Sequence, residues 1–367
     1  MTDEFYMAMA LDLAKKGMGR VSPNPLVGAV IIKHGKIIGQ GWHEAYGKAH
    51  AERNAIEHCL EDPEGATLYV TLEPCCHFGK QPPCTDLIIQ SKIDTVVIGS
   101  KDPNPLVSGK GIAILHQAGI KVREDVLKEV CDQLNEIFFY YIQKKRPFVL
   151  MKYAMTMDGK IATHTGASKW ITGEMARHHV HETRHRYQAI MVGVDTVIKD
   201  NPSLTCRLPE GSHPIRIICD SHLRCPLESN VIKTAQEVPT WLATTSQHQK
   251  RKALYENLGC QIICTKEKDG QVDLVDLMMS LGQRGVTSIL LEGGSTLNWS
   301  MLKAGLVGKL HTYIAPKIFG GVGAKGPIGG EGVGLPSEAI QLKNIKLIQL
   351  EKDFLIESEV DSTCLRD

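Results

Sequence analysis

The sequence predicts an α/β protein made of two separately folding domains, and three observations support this expectation. The chain has 367 residues, 43% of them hydrophobic, which is long enough for two cores. Short β-rich runs alternate with segments of helical spacing along most of it. A helical pattern over residues 127–143 ends in three basic residues and Pro147, after which the alternation starts again. We therefore expect domains at 1–146 and 147–367.

The first domain reads as alternating strands and helices. Residues 27–41 form two apolar runs with a Lys-His-Gly-Lys turn between them, which is typical of a hairpin. The segments that follow are predicted as helix 49–60, strand 66–72, helix 84–92, strand 95–99, helix 111–118, strand 120–122 and helix 127–143.

The second domain repeats the alternation and then changes character. The predicted strands are 148–155, 189–194, 214–220, 240–244, 287–292 and 310–316, and the predicted helices are 173–187 and 296–304. Residues 319–334 are rich in glycine and are predicted to be a loop.

Charge and cysteine usage exclude several classes of protein. Lys plus Arg is 42 and Asp plus Glu is 41, so no basic excess points to a nucleic-acid partner. No apolar run approaches the 18 or so residues of a membrane span, and the N-terminus has no leader pattern. Eleven cysteines, an odd number, favour a reducing, cytoplasmic compartment with metal ligands rather than disulfides. Four cysteines are expected to be buried thiols: Cys219, Cys225, Cys260 and Cys264.

One histidine and two cysteines have the types and spacing of a catalytic zinc site. His50 begins a predicted helix, and Cys75 and Cys84 follow further along the chain. Three such ligands leave a fourth position on Zn²⁺ for water, whose pKa the metal lowers to about 7. Glu52, two residues after the histidine, is placed to carry protons to a leaving amine. The motif predicts hydrolytic removal of an amine from a ring carbon.

Three points stay open from the residues alone. A closed, structural zinc site would take a fourth protein ligand, for which Cys76 or His77 is available. Glu73 precedes a proline and is expected to be a structural hydrogen-bond acceptor rather than a second base. Lys80 is either a contact for a substrate phosphate or an ordinary surface lysine.

These residues resemble the cytidine deaminase-like superfamily, whose pattern is His-x-Glu followed by Pro-Cys-x-x-Cys. Here eight residues, not two, separate the cysteines, and the segment TLEPCCHFGKQPPC at 71–84 is similar to the deaminase of riboflavin biosynthesis. The segment SPNPLVGAV at 22–30 matches the same branch. The resemblance implies an N-terminal α/β/α layer domain in which Asn24 contacts the substrate base.

A second constellation lies in the C-terminal domain. Residues 288–297 read as a strand, a glycine pair and a helix start, a pattern that favours a pyrophosphate site. With the segments 152–162, 168–172 and 193–207, this order resembles the riboflavin-specific reductase domain, which is dihydrofolate reductase-like. The resemblance implies NADPH as the cofactor.

The reductase resemblance also implies site residues, position by position. Cofactor positions fall on Ala154, Trp170, Thr196, Asp200, Ser221, Gly294, Ser295, Thr296, Leu297, Asn298, Trp299 and Ser300. Substrate positions fall on Ser168, Arg184, Leu204, Arg207 and Glu292. The two arginines can hold a 5′-phosphate by paired hydrogen bonds, whereas Lys152 is either a substrate contact or a lysine whose stem covers apolar surface.

The two domains together resemble the bacterial bifunctional riboflavin biosynthesis deaminase/reductase. The expected reactions are zinc-dependent deamination of a phosphoribosylamino-pyrimidine and NADPH-dependent reduction of its ribosyl group to ribityl. The expected partner is this small molecule, with no nucleic acid and no membrane, and a homo-oligomer is left open. One alternative is a tRNA or single-stranded DNA deaminase, which the charge balance and the 5% of aromatic residues disfavour. A second alternative is a nucleotide sensor with structural zinc.

Overall fold

The computed structural model describes residues 1–361 and confirms the predicted α/β class. The chain divides into two compact units, Met1–Lys145 and Arg146–Asp367, here called the first and second unit. The boundary expected after residue 146 lies one position from this division. Within the described residues, no helix has the length and apolar character needed to span a bilayer.

The first unit contains a five-stranded sheet in the order β2-β1-β3-β4-β5. Its elements are α1 (Asp3–Lys15), β1 (Gly28–Lys33), β2 (Lys36–Trp42), α2 (Ala51–Glu57), β3 (Thr67–Leu72), α3 (Cys84–Gln90), β4 (Thr95–Ser100), α4 (Lys110–Gln117), β5 (Lys121–Arg123), α5 (Lys128–Leu134) and α6 (Glu136–Lys144).

Helices cover both faces of this sheet, which gives the expected three layers. Successive residues of β1 point to opposite faces, so Ala29 and Ile31 pack with α2, α3 and α4. Val30 and Ile32 pack with α1 and α5 on the other face. Because β3, β4 and β5 are parallel, the carboxyl ends of β3 and β4 meet at one edge. That edge carries the metal-site residues that follow β3.

Two helices differ from the sequence prediction. The pattern did not predict α1, although Thr2 caps its start by accepting the Phe5 N–H and two acidic residues fill its first turn. The predicted helix over 127–143 is two helices that meet at Asn135. There the Asn135 side chain bonds both backbone groups of Leu26, at 2.8 and 2.9 Å, and this loop contact interrupts the helix.

The second unit contains a nine-stranded sheet in the order β10-β9-β8-β7-β13-β6-β14-β16-β15 and a small hairpin, β11-β12. Its elements are β6 (Phe148–Thr156), α7 (Glu174–Arg186), β7 (Ala189–Gly193), α8 (Val194–Asp200), β8 (Ile215–Cys219), α9 (Asn230–Lys233), β9 (Thr240–Thr244), α10 (Gln249–Asn257), β10 (Gln261–Cys264), β11 (Glu267–Lys268), β12 (Gln271–Val272), α11 (Leu274–Gln283), β13 (Ser288–Gly293), α12 (Ser295–Lys303), β14 (Lys309–Ala315), a short 3₁₀ turn (Pro336–Glu338), β15 (Leu342–Leu350) and β16 (Asp353–Val360).

Strand direction sets the position of the second site. Seven neighbouring strands of the sheet run parallel to one another: β10, β9, β8, β7, β13, β6 and β14. Strands β16 and β15 continue the sheet beyond β14, and each is antiparallel to the strand before it. In such sheets ligands bind beyond the carboxyl ends of the strands. Residues 319–334 contain no helix or strand, which confirms the predicted loop. Asp158 fixes its start by accepting the N–H groups of Phe319 and Gly320.

The prediction missed several elements and misplaced one thiol. Helix α10 is mostly polar and shows no clear apolar stripe, and β15 is exposed over almost its whole length. Of the four cysteines predicted to be buried, Cys225 and Cys260 are buried and Cys219 is half-buried. The prediction was wrong for Cys264, which is exposed because it ends β10, the edge strand of the sheet.

Candidate active sites

The structure brings His50, Cys75 and Cys84 together in the first unit. One ligand atom from each lies within 4.8 Å of the others. The His50 Nδ1 atom is 3.5 Å from the Cys75 Sγ atom and 3.4 Å from the Cys84 Sγ atom. One imidazole nitrogen and two thiol sulfurs suit Zn²⁺.

Three local features place these ligands. His50 caps the start of α2 with its backbone, and its side chain makes no capping bond, so the ring is available for another role. Helix α2 lies directly against β2, where a Cβ at Gly41 would stand 2.4 Å from the Ala55 nitrogen. Cys75 follows the end of β3, and Cys84 is the first residue of α3.

The two candidates for a fourth ligand do not join this group. Among residues 1–361 the cluster has three members, and neither Cys76 nor His77 is one of them. The Cys76 thiol instead points to the Leu106 carbonyl, 3.7 Å away. The donor set therefore fits a zinc ion that keeps one position for water, and it does not fit a closed structural site.

Glu52 is buried beside the three ligands and lines the same cavity. Burial, together with the nearby Cys75 thiol, raises the pKa of Glu52 to about 7. The pKa of Cys75 is lowered to about 4 because the Cys84 and His50 side chains hydrogen-bond to it. A carboxyl group of this kind can take up and release protons near neutral pH.

A cavity of about 300 Å³ opens onto these groups. Its wall combines apolar and polar side chains in the way ligand sites usually do. Besides His50, Cys75 and Glu52, its polar lining includes Asn24, His43, Lys48, Glu73, His77, Lys80, Gln81, Asp102 and Asn104.

Asn24 is held in the cavity by His43, which the sequence analysis missed. The His43 Nδ1–H group donates to the Ala49 carbonyl at 2.9 Å, so the Nε2 atom is left to accept. That atom lies 3.1 Å from the Asn24 Nδ2 atom. This bond leaves the Asn24 Oδ1 atom as the acceptor for a donor on a substrate ring.

Asp102 and Asn104 are two further cavity residues that sequence reasoning missed. They follow β4, the parallel neighbour of β3, at the edge that also carries Cys75. A sequence signal for them existed. The tetrapeptide Pro-Asn-Pro-Leu occurs at 23–26 and again at 103–106, and the asparagine of both copies lines the cavity.

In the second unit, Arg184 and Glu292 form a largely buried pair, with their side chains 14% and 11% exposed. The Arg184 Nε and Nη2 atoms donate to the Glu292 carboxylate at 2.7 and 2.9 Å, and Nη1 donates to the Thr205 carbonyl. The Lys152 Nζ atom is 3.8 Å from the same carboxylate. Burial alone would raise the pKa of Glu292, but the two cations outweigh it and hold that pKa at about 2.

This pairing changes the expected roles of the two arginines. The guanidinium nitrogens of Arg184 donate to Glu292 and to the Thr205 carbonyl, so this group is already hydrogen-bonded within the protein. Arg207 is exposed, and its backbone N–H donates to the His181 ring at 3.3 Å. Of the two, Arg207 is therefore the better candidate for a phosphate contact.

Some predicted cofactor positions meet at the carboxyl end of β13. Gly294 begins α12 with φ +64°, and a Cβ there would lie 3.3 Å from the Thr196 Oγ1 atom. Thr196, at the start of α8, donates to the Gly293 carbonyl at 3.4 Å. The first turn of α12 thus lies beside the start of α8, an arrangement that suits a phosphate.

Other positions in the 294–300 segment face the glycine-rich loop. The Asn298 amide donates to the Pro327 carbonyl at 2.9 Å. Trp299 lies so close to Gly330 that a Cβ there would be 2.1 Å from the ring. Asn298 and Trp299 therefore hold the loop against α12 in this structure.

The remaining positions are less closely grouped. The Ser221 hydroxyl donates to Gln271 and accepts the Val272 N–H, so it is engaged with β12. Trp170 is 62% exposed, with the Arg177 guanidinium 4.9 Å from its ring. Four more are Ala154 and Ser168 (both half-buried), Asp200 (exposed) and Leu204 (buried, with φ +52°). The last four, Ser295, Thr296, Leu297 and Ser300, lie in α12.

Comparison with known proteins gives the family. Residues 147–356 match the RibD C-terminal domain, and residues 1–100 match the cytidine and deoxycytidylate deaminase zinc-binding region. The riboflavin biosynthesis protein RibD of Actinobacillus pleuropneumoniae is 54% identical over 362 residues, which cover 99% of this chain and 96% of that protein. This chain belongs to the RibD family. The family membership confirms the predicted bifunctional enzyme, a deaminase and a reductase, with Zn²⁺ and NADPH as cofactors.

Solved structures agree over the full length of the chain. A diaminohydroxyphosphoribosylaminopyrimidine deaminase/5-amino-6-(5-phosphoribosylamino)uracil reductase from Thermotoga maritima is 41% identical, with a TM-score of 0.85. Acinetobacter baumannii RibD is 32% identical, with a TM-score of 0.88. Each comparison covers 98% of this chain and 99% of the other. The alternative of a nucleic-acid deaminase is not favoured.

Proposed function

We propose that residues 1–146 form the deaminase domain and that its substrate is a diaminohydroxyphosphoribosylamino-pyrimidine. The observation that carries this proposal is the three-member ligand group, of which His50 and Cys75 line the cavity together with Glu52. His50, Cys75 and Cys84 would hold a zinc ion, which would supply a Lewis acid for the activation of water near neutral pH. The Thermotoga maritima enzyme of the same family is named for this substrate.

The chain's own residues then do the binding and the proton transfer. The Asn24 Oδ1 atom accepts from an N–H or amino group of the ring, since His43 engages its Nδ2 atom. Glu52 holds a proton on its carboxyl group and gives it to the departing amine, which leaves as ammonia. Lys80 lines the cavity and offers a cation to the substrate's phosphate. Its ammonium lies 3.9 Å from the centre of the Tyr46 ring.

We propose that residues 147–367 form the reductase domain, which gives 5-amino-6-(5-phosphoribitylamino)uracil. When bound, NADPH would supply the hydride for reduction of the ribosyl carbon. The dinucleotide phosphates suit the first turn of α12 beside Thr196, and Arg207 suits the substrate phosphate. Glu292, fixed by Arg184, offers carboxylate oxygens to ribose hydroxyls.

The substrate is proposed to be a free small molecule rather than a base in nucleic acid. A cavity of about 300 Å³ accommodates a pyrimidine, and the net charge of +1 shows no overall basic excess to favour a polyanion. The thiols of Cys75 and Cys84 must stay reduced to bind metal, which favours the cytoplasm. A homo-oligomer is compatible with this proposal, which does not depend on one.

Glu52→Gln in the full-length chain tests the deaminase proposal. We expect ammonia release from the diaminopyrimidine to fall at least 100-fold, roughly the contribution of a positioned acid-base group. Zinc per chain should stay the same, and NADPH oxidation with the deaminated substrate should continue. Glu57→Gln, on the exposed face of the same helix, is the matched control and should leave both activities unchanged. Normal ammonia release by Glu52→Gln contradicts the proposal.

A further inference from the structure

Glu73 stands at the end of β3, two residues before Cys75, and is only 3% exposed. Its carboxylate accepts three backbone N–H groups. The Oε2 atom accepts from Asp102 at 3.3 Å and from Gly109 at 3.0 Å, and the Oε1 atom accepts from Ile112 at 3.3 Å. Within residues 1–361, no lysine or arginine forms a salt bridge with it. Charge-assisted bonds to backbone N–H groups thus replace a counterion.

Two of these bonds fix the start of α4. Gly109 precedes that helix and has no side chain with which to cap it. Glu73 takes this role from a neighbouring strand, because the unpaired N–H groups of a first helical turn require an acceptor. The approach is close, since a Cβ at Gly111 would lie 2.3 Å from the Pro74 carbonyl oxygen. Helix α4 is therefore held directly against the end of β3.

The third bond fixes the segment that forms one wall of the cavity. Asp102, Asn104 and Val107 line that wall. Asp102 is buried, and its carboxylate accepts the Asn104 N–H at 2.8 Å. Glu73 binds the backbone of Asp102 and so connects this polar wall to the strand end that carries Cys75. The Glu73 carboxylate therefore links the position of this cavity wall to the position of the strand end beside the metal ligands.

We propose that Glu73 is a positioning residue for substrate binding in the deaminase domain, acting through the 102–109 segment. This proposal rests on the proposed deaminase function. Glu73 also lines the cavity, but both of its carboxylate oxygens are taken by backbone N–H groups of the 102–112 segment. In this proposal Glu73 therefore acts by setting the positions of Asp102 and Asn104 relative to the bound ring.

The substitution Glu73→Gln separates this role from simple space filling. Glutamine has the same length, but its Nε2 group only donates and cannot accept an N–H. At least one of the three bonds is lost, while the buried volume stays the same. The 102–109 segment is then free to shift, and a displacement of this kind at a binding wall costs about 10- to 100-fold in kcat/KM.

The experiment is a double-mutant cycle on the full-length, zinc-loaded enzyme. Ammonia release is measured for the wild type, Glu73→Gln, Asp102→Asn and the double variant. We expect Glu73→Gln to raise KM about tenfold or more with a smaller change in kcat. In the Asp102→Asn background, Glu73→Gln should raise KM by less than about threefold, because the effects of substitutions at contacting residues are not additive. Zinc per chain and the reductase activity of the same molecule should stay unchanged.

Asp132→Asn is the matched control. Its carboxylate is also partly buried in the first unit and accepts the Ser100 hydroxyl at 2.6 Å, but it does not line the cavity. It should leave KM unchanged. The proposal is overturned if Glu73→Gln leaves KM unchanged, or if it raises KM equally in the wild type and in Asp102→Asn. Loss of zinc from Glu73→Gln would also overturn it. Failure of the zinc-loaded wild type to release ammonia is a separate result, which would overturn the proposed function instead.

Discussion

At the scale of single residues, each unit contains a largely or fully buried carboxylate whose environment decides its charge. Burial and a neighbouring thiol raise the pKa of Glu52, whereas Arg184 and Lys152 overcome burial and lower that of Glu292. The first group can exchange protons near neutral pH, and the second stays ionised. The difference suits proton transfer in one domain and fixed hydrogen bonding in the other.

The lowered pKa of Glu292 predicts a pH dependence of stability. Its ordinary value is 4.5, and in the folded chain it is about 2. The stabilisation is therefore fully present above about pH 4.5 and is lost as the pH falls toward 2. Scanning calorimetry of the wild type should show this extra loss of unfolding free energy in the second unit.

Glu292→Gln should remove that part of the pH dependence. It should also destabilise the second unit at pH 7 by about 3–5 kcal/mol, because Arg184 is left buried without its counterion. Glu256→Gln, on an exposed position of α10, should keep the wild-type profile. Parallel pH profiles for the wild type and Glu292→Gln would contradict the assignment.

At the scale of elements, one arginine connects several segments of the second unit. Arg216 on β8 is fully buried, and its guanidinium donates five hydrogen bonds. Their acceptors are the Ser203 carbonyl, the Thr234 carbonyl and hydroxyl, the Val238 carbonyl and the Thr240 hydroxyl. Burial lowers the pKa of Arg216 to about 10, which leaves it charged at pH 7.

We expect Arg216→Met to lower the unfolding free energy of the second unit by about 3 kcal/mol or more. The methionine fills part of the space but leaves buried carbonyl groups without donors. Arg224→Met is the control, because Arg224 makes an exposed pair with Asp195, worth about 1 kcal/mol at most. Denaturant unfolding of both variants measures the difference. Equal stabilities would show that the buried hydrogen bonds contribute little.

The sequence analysis predicted many elements with a regular apolar pattern, although it missed the apolar helix α11, and it also missed features that depend on other chain segments. Strand β3 and helix α7 were predicted because their burial follows from local spacing. The break between α5 and α6 at Asn135 was not predicted, because its cause is a contact with Leu26, more than a hundred residues away in the chain. Strand β15 was missed because its exposed residues show no inward face.

The candidate sites show the same limit. His50, Cys75 and Cys84 could be grouped from sequence because metal ligands have characteristic types and spacing. The pairing of Arg184 with Glu292 could not be foreseen, because it joins residues that are distant in the chain and brought together only by the fold.

At the scale of the whole molecule, each proposed site is built from residues of one unit only. The cavity of the deaminase site is lined by residues 24–138, and the reductase positions run from 154 to 300. The two activities therefore depend on different cofactors and different side chains.

Removal of metal should separate the two activities. After treatment with a chelator, ammonia release should disappear, while NADPH oxidation with the deaminated substrate should remain near its original rate. Addition of Zn²⁺ should restore ammonia release. Both rates are followed on one sample, by ammonia determination and by the absorbance of NADPH. Loss of both activities on chelation would show that the metal also supports the second unit.

The stretch between Cys75 and Cys84 has a consequence for how such enzymes can diverge. It joins two ligands and also contributes His77, Gly79, Lys80 and Gln81 to the cavity. Two of the three metal ligands and part of the cavity lining therefore lie in one short piece of chain. We expect insertions or deletions there to alter what the enzyme accepts while both anchoring thiols stay in place. Exchange of this piece between related deaminases offers a compact route to new specificities.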